Sequence, residues 1–427
     1  MGLQPIIIRH DSQDGGVRKE NHRAGDPQRE MLMSATALRP AVRSIQPAGL
    51  YVHVPFCLRK CAYCDFYSLT DLSRRGDYLG ALRREMDLVP TRGLIFDSLY
   101  IGGGTPSLLA PEEVAAVLAA AREVFVWRGD VEITLEANPC SLTPERLAGY
   151  RRAGINRLQI GVQSFQDAHL AWLGRLHSAA AARQALEWAC AAGFENLGLD
   201  LIFGIPGQTW ESWRADLAQA AALGVAHISC YMLSIEPGTL LDRRRQEGQI
   251  QPATADAISR LYELGLAYLG AHGYAQYEIS NFARCEKKAA QRWRSRHNQK
   301  YWSGAPYIGL GPAAHSFVGR QRCWNHRSLK RYLGAVAAGR RPVAGRETLN
   351  PLQRQIEAIY TGLRTTAGID LGRYNQAFSP PFEEHFAALL SRLVETRLAV
   401  VSPRRCTLTP RGMLLLDSIA DQFVSRL

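Results

Sequence analysis

No uninterrupted apolar stretch in the 427 residues approaches the ~20 that a membrane-spanning helix needs. The opening run, MGLQPIIIRHDSQDGG, has one short apolar patch before it turns polar, too little for a secretory signal. Asp11, Asp14, Glu20, Asp26 and Glu30 are out of character for a mitochondrial transit peptide, so the cytoplasm is the expected location. No repeat of solenoid period and no low-complexity tract appears. A disulfide framework is absent as well: nine cysteines is an odd number, and six of them are scattered, which favours reduced thiols. A closed four-ligand zinc site is also missing, because the one dense cysteine cluster has no second pair nearby.

What is present bounds the answer further. The length implies two domains, or a barrel with an appendage, and 46% apolar residues suits a soluble chain with a large core. Lysine and arginine outnumber aspartate and glutamate by 51 to 39, a formal net charge of +12. That excess fits nucleic acid, peripheral contact with a membrane surface, or a ligand carrying carboxylates; an arginine-rich composition alone gives the same count.

Six short segments rich in β-branched and aromatic residues recur: 49–56, 98–106, 131–139, 157–165, 196–207 and 227–238. Most end at Gly or Pro, and helical spacing fills the gaps, most clearly in PEEVAAVLAAAREVF and SAAAARQALEWACAAG. The second of these opens on Ser178, a capping residue, and closes at Gly193, where a left-handed cap fits. Sixfold strand–helix alternation predicts parallel strands joined by right-handed crossovers, with ligands at the carboxyl ends of the strands. The cysteines, GGGTP, Glu136, Gln163 and Asp200 all fall at such ends. Beyond about residue 240 a helix is expected over 255–272, then YAQYEISNFAR and a basic run from Arg284 to Arg296. From about 350 the order is helix (350–364), helix (382–396), hairpin and last helix (412–425), which resembles a winged-helix arrangement. The expected divisions are an N-terminal extension read as disordered (1–48, with Met31 and Met33 as alternative starts), an α/β core (49–240), a barrel-closing extension (241–349) and a mostly helical C-terminal domain (350–427).

CLRKCAYC places Cys57, Cys61 and Cys64 directly after the first apolar segment. Four thiolates hold a 4Fe–4S cluster that only carries electrons. With three, one iron keeps an open position that a substrate can occupy. The glycines of GGGTP let backbone N–H groups approach a carboxylate or amine, and carboxylates buried at strand ends, such as Glu136 and Asp200, need partners.

From Tyr51 to about Trp302 these residues resemble the radical SAM superfamily, which implies a partial (β/α)6 barrel. The resemblance implies that S-adenosylmethionine (SAM) binds the open iron through its amino and carboxylate groups. It implies SAM contacts from Tyr51, Tyr63, Gly103, Gly104, Thr105, Glu136, Gln163, Arg175 and Asp200. Within the superfamily the chain resembles relatives of the oxygen-independent coproporphyrinogen oxidase, and among these the heme chaperones called HemW. The oxidase pattern has a fourth cysteine two residues after the third, where this chain has Phe66. HNQKYW (297–302) matches the branch's His-Asn-x-x-Tyr-Trp motif, flanked by YEISNFAR and GLGPAAHSF. The resemblance therefore implies heme binding through His297, Tyr301 and Trp302, with basic residues 284–296 meeting the propionates and respiratory hemoproteins receiving the heme. His297 is the expected iron ligand; Tyr301, His315 or a cysteine are the alternatives. Competing readings are oxidative decarboxylation of coproporphyrinogen III and, behind it, radical modification of RNA. No aromatic–basic stacking platform for RNA is evident, so no nucleic-acid partner is expected.

Overall fold

Each of the six expected segments forms a strand. The structure is a computed structural model that describes residues 46–427 except Arg92 and 287–290, so residues 1–45 of the extension expected over 1–48 lie outside the described residues, and its last residue, Ala48, already opens the first strand. The alternation runs β1 (Ala48–Val54), α1 (Arg75–Leu88), β2 (Phe96–Gly103), α2 (Pro111–Val124), β3 (Trp127–Ala137), α3 (Pro144–Ala153), β4 (Arg157–Gln163), α4 (Asp167–Leu173), α5 (Ala179–Ala191), β5 (Asn196–Phe203), α6 (Trp210–Ala222) and β6 (His227–Met232). Local chemistry sets the helix ends. Ser178 accepts from the Ala181 N–H at the start of α5, and Gly193 takes φ +82° beyond its end. Thr143 and Thr209 cap α3 and α6 in the same way.

β1 to β6 lie side by side in chain order, all parallel. Their two faces differ. Leu50, Val52, Leu99, Ile101, Ile133, Leu135, Leu158, Ile160, Leu197 and Leu199 alternate onto one face and enter the core under the helices. The intervening residues form the other face: Tyr51 and His53, Ser98 and Tyr100, Glu132, Thr134 and Glu136, Arg157 and Gln159, Asp200, His227 and Ser229. Barrel interiors are ordinarily filled by branched apolar side chains. Here the inner face is polar and aromatic, so it is built to hold polar groups.

The stretch expected to close the barrel adds strands at both edges of the sheet. After α7 (Leu240–Gln246) and α8 (Ala255–Ala271), β8 (Asn281–Arg284) pairs antiparallel with β6, and β7 (Tyr274–Glu278) pairs antiparallel with β8 at the edge. α9 (Arg296–Ser303) follows, and then β9 (Tyr307–Leu310) pairs parallel with β1. β10 (His315–Val318), β11 (Gln321–Asn325), α10 (Leu329–Ala337) and β12 (Val343–Thr348) complete a twelve-stranded sheet. Among the described residues no strand pairing joins its two edges.

The remainder is α11 (Pro351–Leu363), β13 (Ile369–Asp370), α12 (Leu371–Ala377), α13 (Phe382–His385), α14 (Ala387–Glu395), β14 (Ala399–Val401), β15 (Arg405–Leu408), α15 (Pro410–Leu414) and α16 (Leu416–Val424). The small sheet orders β13-β15-β14, so the helix–strand–helix–hairpin sequence is winged-helix-like. The helices expected over 382–396 and 412–425 are each broken, at Phe386 and Leu415, where the backbone leaves the helical region.

Candidate functional site at the two ends of the barrel

At the carboxyl ends, the cysteine loop is tied down by its backbone. The Cys57 N–H donates to Leu69 O at 2.9 Å, and Cys64 N–H to Cys61 O at 3.2 Å. The GGGTP turn runs beside it, with Gly104 N–H on Val54 O (2.8 Å) and Thr105 N–H on Phe56 O (2.7 Å). A Cβ on Gly104 would sit 2.6 Å from Phe56 O, and Gly103 takes φ +111° against the His53 ring, so both positions require glycine. Thr105 Oγ1 and Arg175 Nη1 donate to Cys57 Sγ and Cys61 Sγ, each at 3.5 Å. Burial pushes the Cys57 and Cys64 thiols up, against the hydrogen bond from Thr105 at Cys57 and the backbone N–H of Phe66 at Cys64. Among the described residues no three His, Cys, Asp or Glu side chains converge on one point as a single ion requires. A 4Fe–4S cluster takes each thiolate at a separate iron corner, and three thiols on one loop fit it.

The carboxylates expected at this end are in place. Glu136 accepts from Tyr100 OH at 2.7 Å and from Gly103 N–H at 3.1 Å, and burial raises its pKa. Asp200 accepts from Gln159 Nε2 at 2.8 Å. Gln163 occupies φ +71°, and its buried Oε1 has no partner; Arg175 donates to Gly161 O at 2.7 Å while its buried Nε has none. A carbonyl oxygen short of a donor and a guanidinium short of an acceptor match the amino and carboxylate groups of an amino-acid moiety. Tyr51 donates to His53 Nδ1 at 3.1 Å, with its ring stacked on Tyr100. Tyr63 packs into a small apolar cluster with Leu173, Ile202 and Ile205.

At the amino ends, strand residues anchor α9. Glu132 accepts from the Arg296 and His297 N–H groups, Asp97 pairs with Lys300 at 2.6 Å, and Lys300 also donates to Pro47 O. The His297 ring therefore rises into the barrel, into room left by Gly49. It exchanges hydrogen bonds with Ser98 Oγ through Nδ1 (3.2 Å) and with Tyr301 OH through Nε2 (3.0 Å). It is 1% exposed, and burial, with the Lys300 and Arg157 charges behind it, holds its pKa down at about 3. The expected iron ligand thus has both nitrogens engaged inside the barrel. The reason is helical phase: His297 and Tyr301, four residues apart, share the face that Asp97 and Glu132 pull against the sheet.

Outside α9 lies a cavity of about 750 Å³, within the range of small-molecule and cofactor sites. Tyr301, Trp302, Tyr307 and Phe378 line it together with Arg322 and Arg354. Arg364 lies 4.4 Å over the Trp302 ring. Much of the basic run before α9 is already engaged: Arg284 and Arg292 meet Glu286, and Arg296 meets Asp130. His315 stacks on Trp324 and does not line the cavity.

Residues 51–220 match the Radical SAM superfamily and residues 349–415 the HemN C-terminal domain. The heme chaperone HemW of Mycobacterium tuberculosis is 38% identical over 88% of this chain and 94% of its own length. That of Bacillus subtilis is 34% identical over 88% of this chain and 99% of its own. The chain belongs to the HemW family of radical SAM proteins. The solved structure of coproporphyrinogen III oxidase from Escherichia coli superposes with a TM-score of 0.77 at 26% identity, over 90% of this chain and 91% of that one.

Two features of this HemW-family barrel escaped the sequence reading. Arg157 is buried in the interior, donating to Gln159 at 2.8 Å, and Asn281 faces Ser229 across β6–β8 with its amide unpartnered. The signal was present in the strict alternation of Glu132, Thr134, Glu136 and of Arg157, Gln159.

Proposed function

We propose that this chain is a heme chaperone. It holds a SAM-loaded 4Fe–4S cluster at the carboxyl ends of its barrel and heme at the amino ends, and delivers the heme to respiratory hemoproteins. The observation that carries the reading is the composition of the cavity beside α9. Heme presents a flat porphyrin face and two propionates; aromatic rings and arginines, such as Trp302, Phe378, Arg354 and Arg373, answer both. At the other end, Cys57, Cys61 and Cys64 would hold three irons. Gln163 Oε1 and Arg175 Nε would take up the amino and carboxylate groups of SAM, and Glu136 and Asp200 its remaining polar hydrogens. When bound, the reduced cluster supplies an electron to the sulfonium of SAM.

The likeness to coproporphyrinogen III oxidase favours a second reading, turnover of coproporphyrinogen III. Anaerobic assays of the cluster-reconstituted chain separate the two. Hemin bound near one per chain and passed to an apo-hemoprotein, with no porphyrinogen product, is the expected result. Product formation without hemin uptake would overturn the chaperone reading.

A further inference from the structure

Iron in a heme needs an axial ligand, and the cavity lacks the usual ones. Its lining contains no histidine, cysteine or methionine among the described residues. It does contain five tyrosines: Tyr277, Tyr301, Tyr307, Tyr360 and Tyr374. Four have their hydroxyls tied to other elements. Tyr277 meets His227 Nε2 at 2.8 Å, Tyr301 meets His297 Nε2 at 3.0 Å, Tyr374 accepts from Gln355 at 2.7 Å, and Tyr360 donates to Asp421.

Tyr307 is the exception. It opens β9, with its ring 4.9 Å from that of Tyr301 and 6.1 Å from that of Phe317, and the side chain beside its hydroxyl is Arg322. Arg322 is nine-tenths buried. Glu347 (3.1 Å) and Glu357 (2.8 Å) fix its two terminal nitrogens, and its Nε has no partner. The two glutamates already balance the guanidinium charge, but its Nε is a buried donor that the adjacent Tyr307 oxygen can satisfy.

We propose that Tyr307, as a phenolate steadied by Arg322, is the axial ligand of ferric heme in this cavity. The proposal rests on the heme reading above and replaces His297 in that role. Phenolate is an established heme ligand. The O–H bond of Tyr307 breaks, an Fe–O bond forms, and the proton leaves to solvent through the cavity mouth; iron stays ferric and no electron moves. Burial, opposed by the Arg322 guanidinium and reinforced by the nearby Glu357 carboxylate, leaves the Tyr307 phenol raised to about 12. Ferric iron displaces the proton, as metal binding does for other acidic ligands. Trp302 and Phe378 would pack on the porphyrin, with Arg354 and Arg373 on α11 and α12 available to its propionates.

The test is anaerobic titration of the full, cluster-reconstituted chain with ferric hemin, read by absorption, electron paramagnetic resonance and resonance Raman spectra. The wild type should give high-spin ferric heme with an iron–phenolate vibration. Tyr307→Phe should lose that vibration and bind hemin roughly tenfold more weakly. His297→Gln should keep the vibration. An imidazole-ligated spectrum in the wild type, or an unchanged spectrum in Tyr307→Phe, overturns the ligand assignment while leaving the heme site standing. Failure of the wild type to bind hemin at all overturns both the assignment and the chaperone reading.

Discussion

The rings of Tyr100 and His297 stack with centroids 5.3 Å apart and planes 29° from parallel. This pair lies between the proposed SAM site and the cavity beside α9. On one side the Tyr100 hydroxyl holds Glu136; on the other His297 holds Tyr301, which lines the cavity. On the proposed reading, packed rings and buried hydrogen bonds separate the two ligand sites, and both are expected to fill at once.

Glu136 is the first residue to test. Removing it leaves the Tyr100 hydroxyl and the Gly103 N–H without their acceptor and takes a carboxylate from the proposed SAM site. A buried polar group that loses its partner costs ~1–3 kcal/mol. Glu136→Ala should weaken SAM binding roughly ten- to hundredfold with the cluster intact. Calorimetry showing wild-type affinity would remove Glu136 from the site.

The cysteines make a simpler prediction. Alanine at Cys57, Cys61 or Cys64 should abolish most cluster absorbance after reconstitution. If the triple variant retained wild-type iron and sulfide, the cluster would lie elsewhere.

Gly104 tests the cradle. A methyl group there meets the Phe56 carbonyl at 2.6 Å, a backbone atom that cannot swing aside. Gly104→Ala should cost ~1–3 kcal/mol of stability, as overpacking does, and should displace Thr105 from Cys57. An unchanged urea midpoint with normal cluster loading would show that the loop yields freely.

Acid should destabilise the fold. Burial holds the imidazoles of His53 (about 4), His177 (about 4), His297 (about 3) and His315 (about 4) low, and that of His227 well below its ordinary value. For each, the unfolded chain takes up a proton first, near pH 6.5, so its stabilisation is complete above that pH and is lost as pH falls. Burial lowers His169 as well, while Glu85 (about 7) and Asp216 (about 6), with Glu136 and Glu357, are raised and act oppositely, four against six. Urea midpoints should therefore fall from pH 7.5 to 5.5. His227→Gln should flatten that fall by about 1.4 kcal/mol, the value of one pH unit below ~6.5. A variant with the wild-type slope would show His227 to be protonated in the fold.

The core was legible because its signals are local. β4 and β5 carry their own β-branched and leucine runs, and Ser178 and Gly193 mark the ends of α5 within the segment itself. The cradle was legible because its glycines and carboxylates fall at strand ends. β9 was not: four residues, YIGL, become a strand only because β1, more than 250 positions earlier, offers an open edge. The direction of His297 was equally hidden, since Asp97 and Glu132 set the phase of α9 from remote strands. Tyr307 carries no motif, and its isolation from other acceptors exists only in three dimensions.

Simultaneous occupancy tests the central claim most directly. Anaerobic, cluster-reconstituted chain, held reduced by excess dithionite and saturated with SAM, would be titrated with heme already reduced to the ferrous state, so that no electron passes from the cluster, while the cluster's paramagnetic signal and the Soret band are followed together. Two sites divided by the Tyr100–His297 stack predict one heme, one SAM and one cluster per chain, with the SAM-perturbed cluster signal unchanged. Heme that expels SAM, or that alters the cluster signal in proportion to its own binding, would place both ligands in one site and contradict the account.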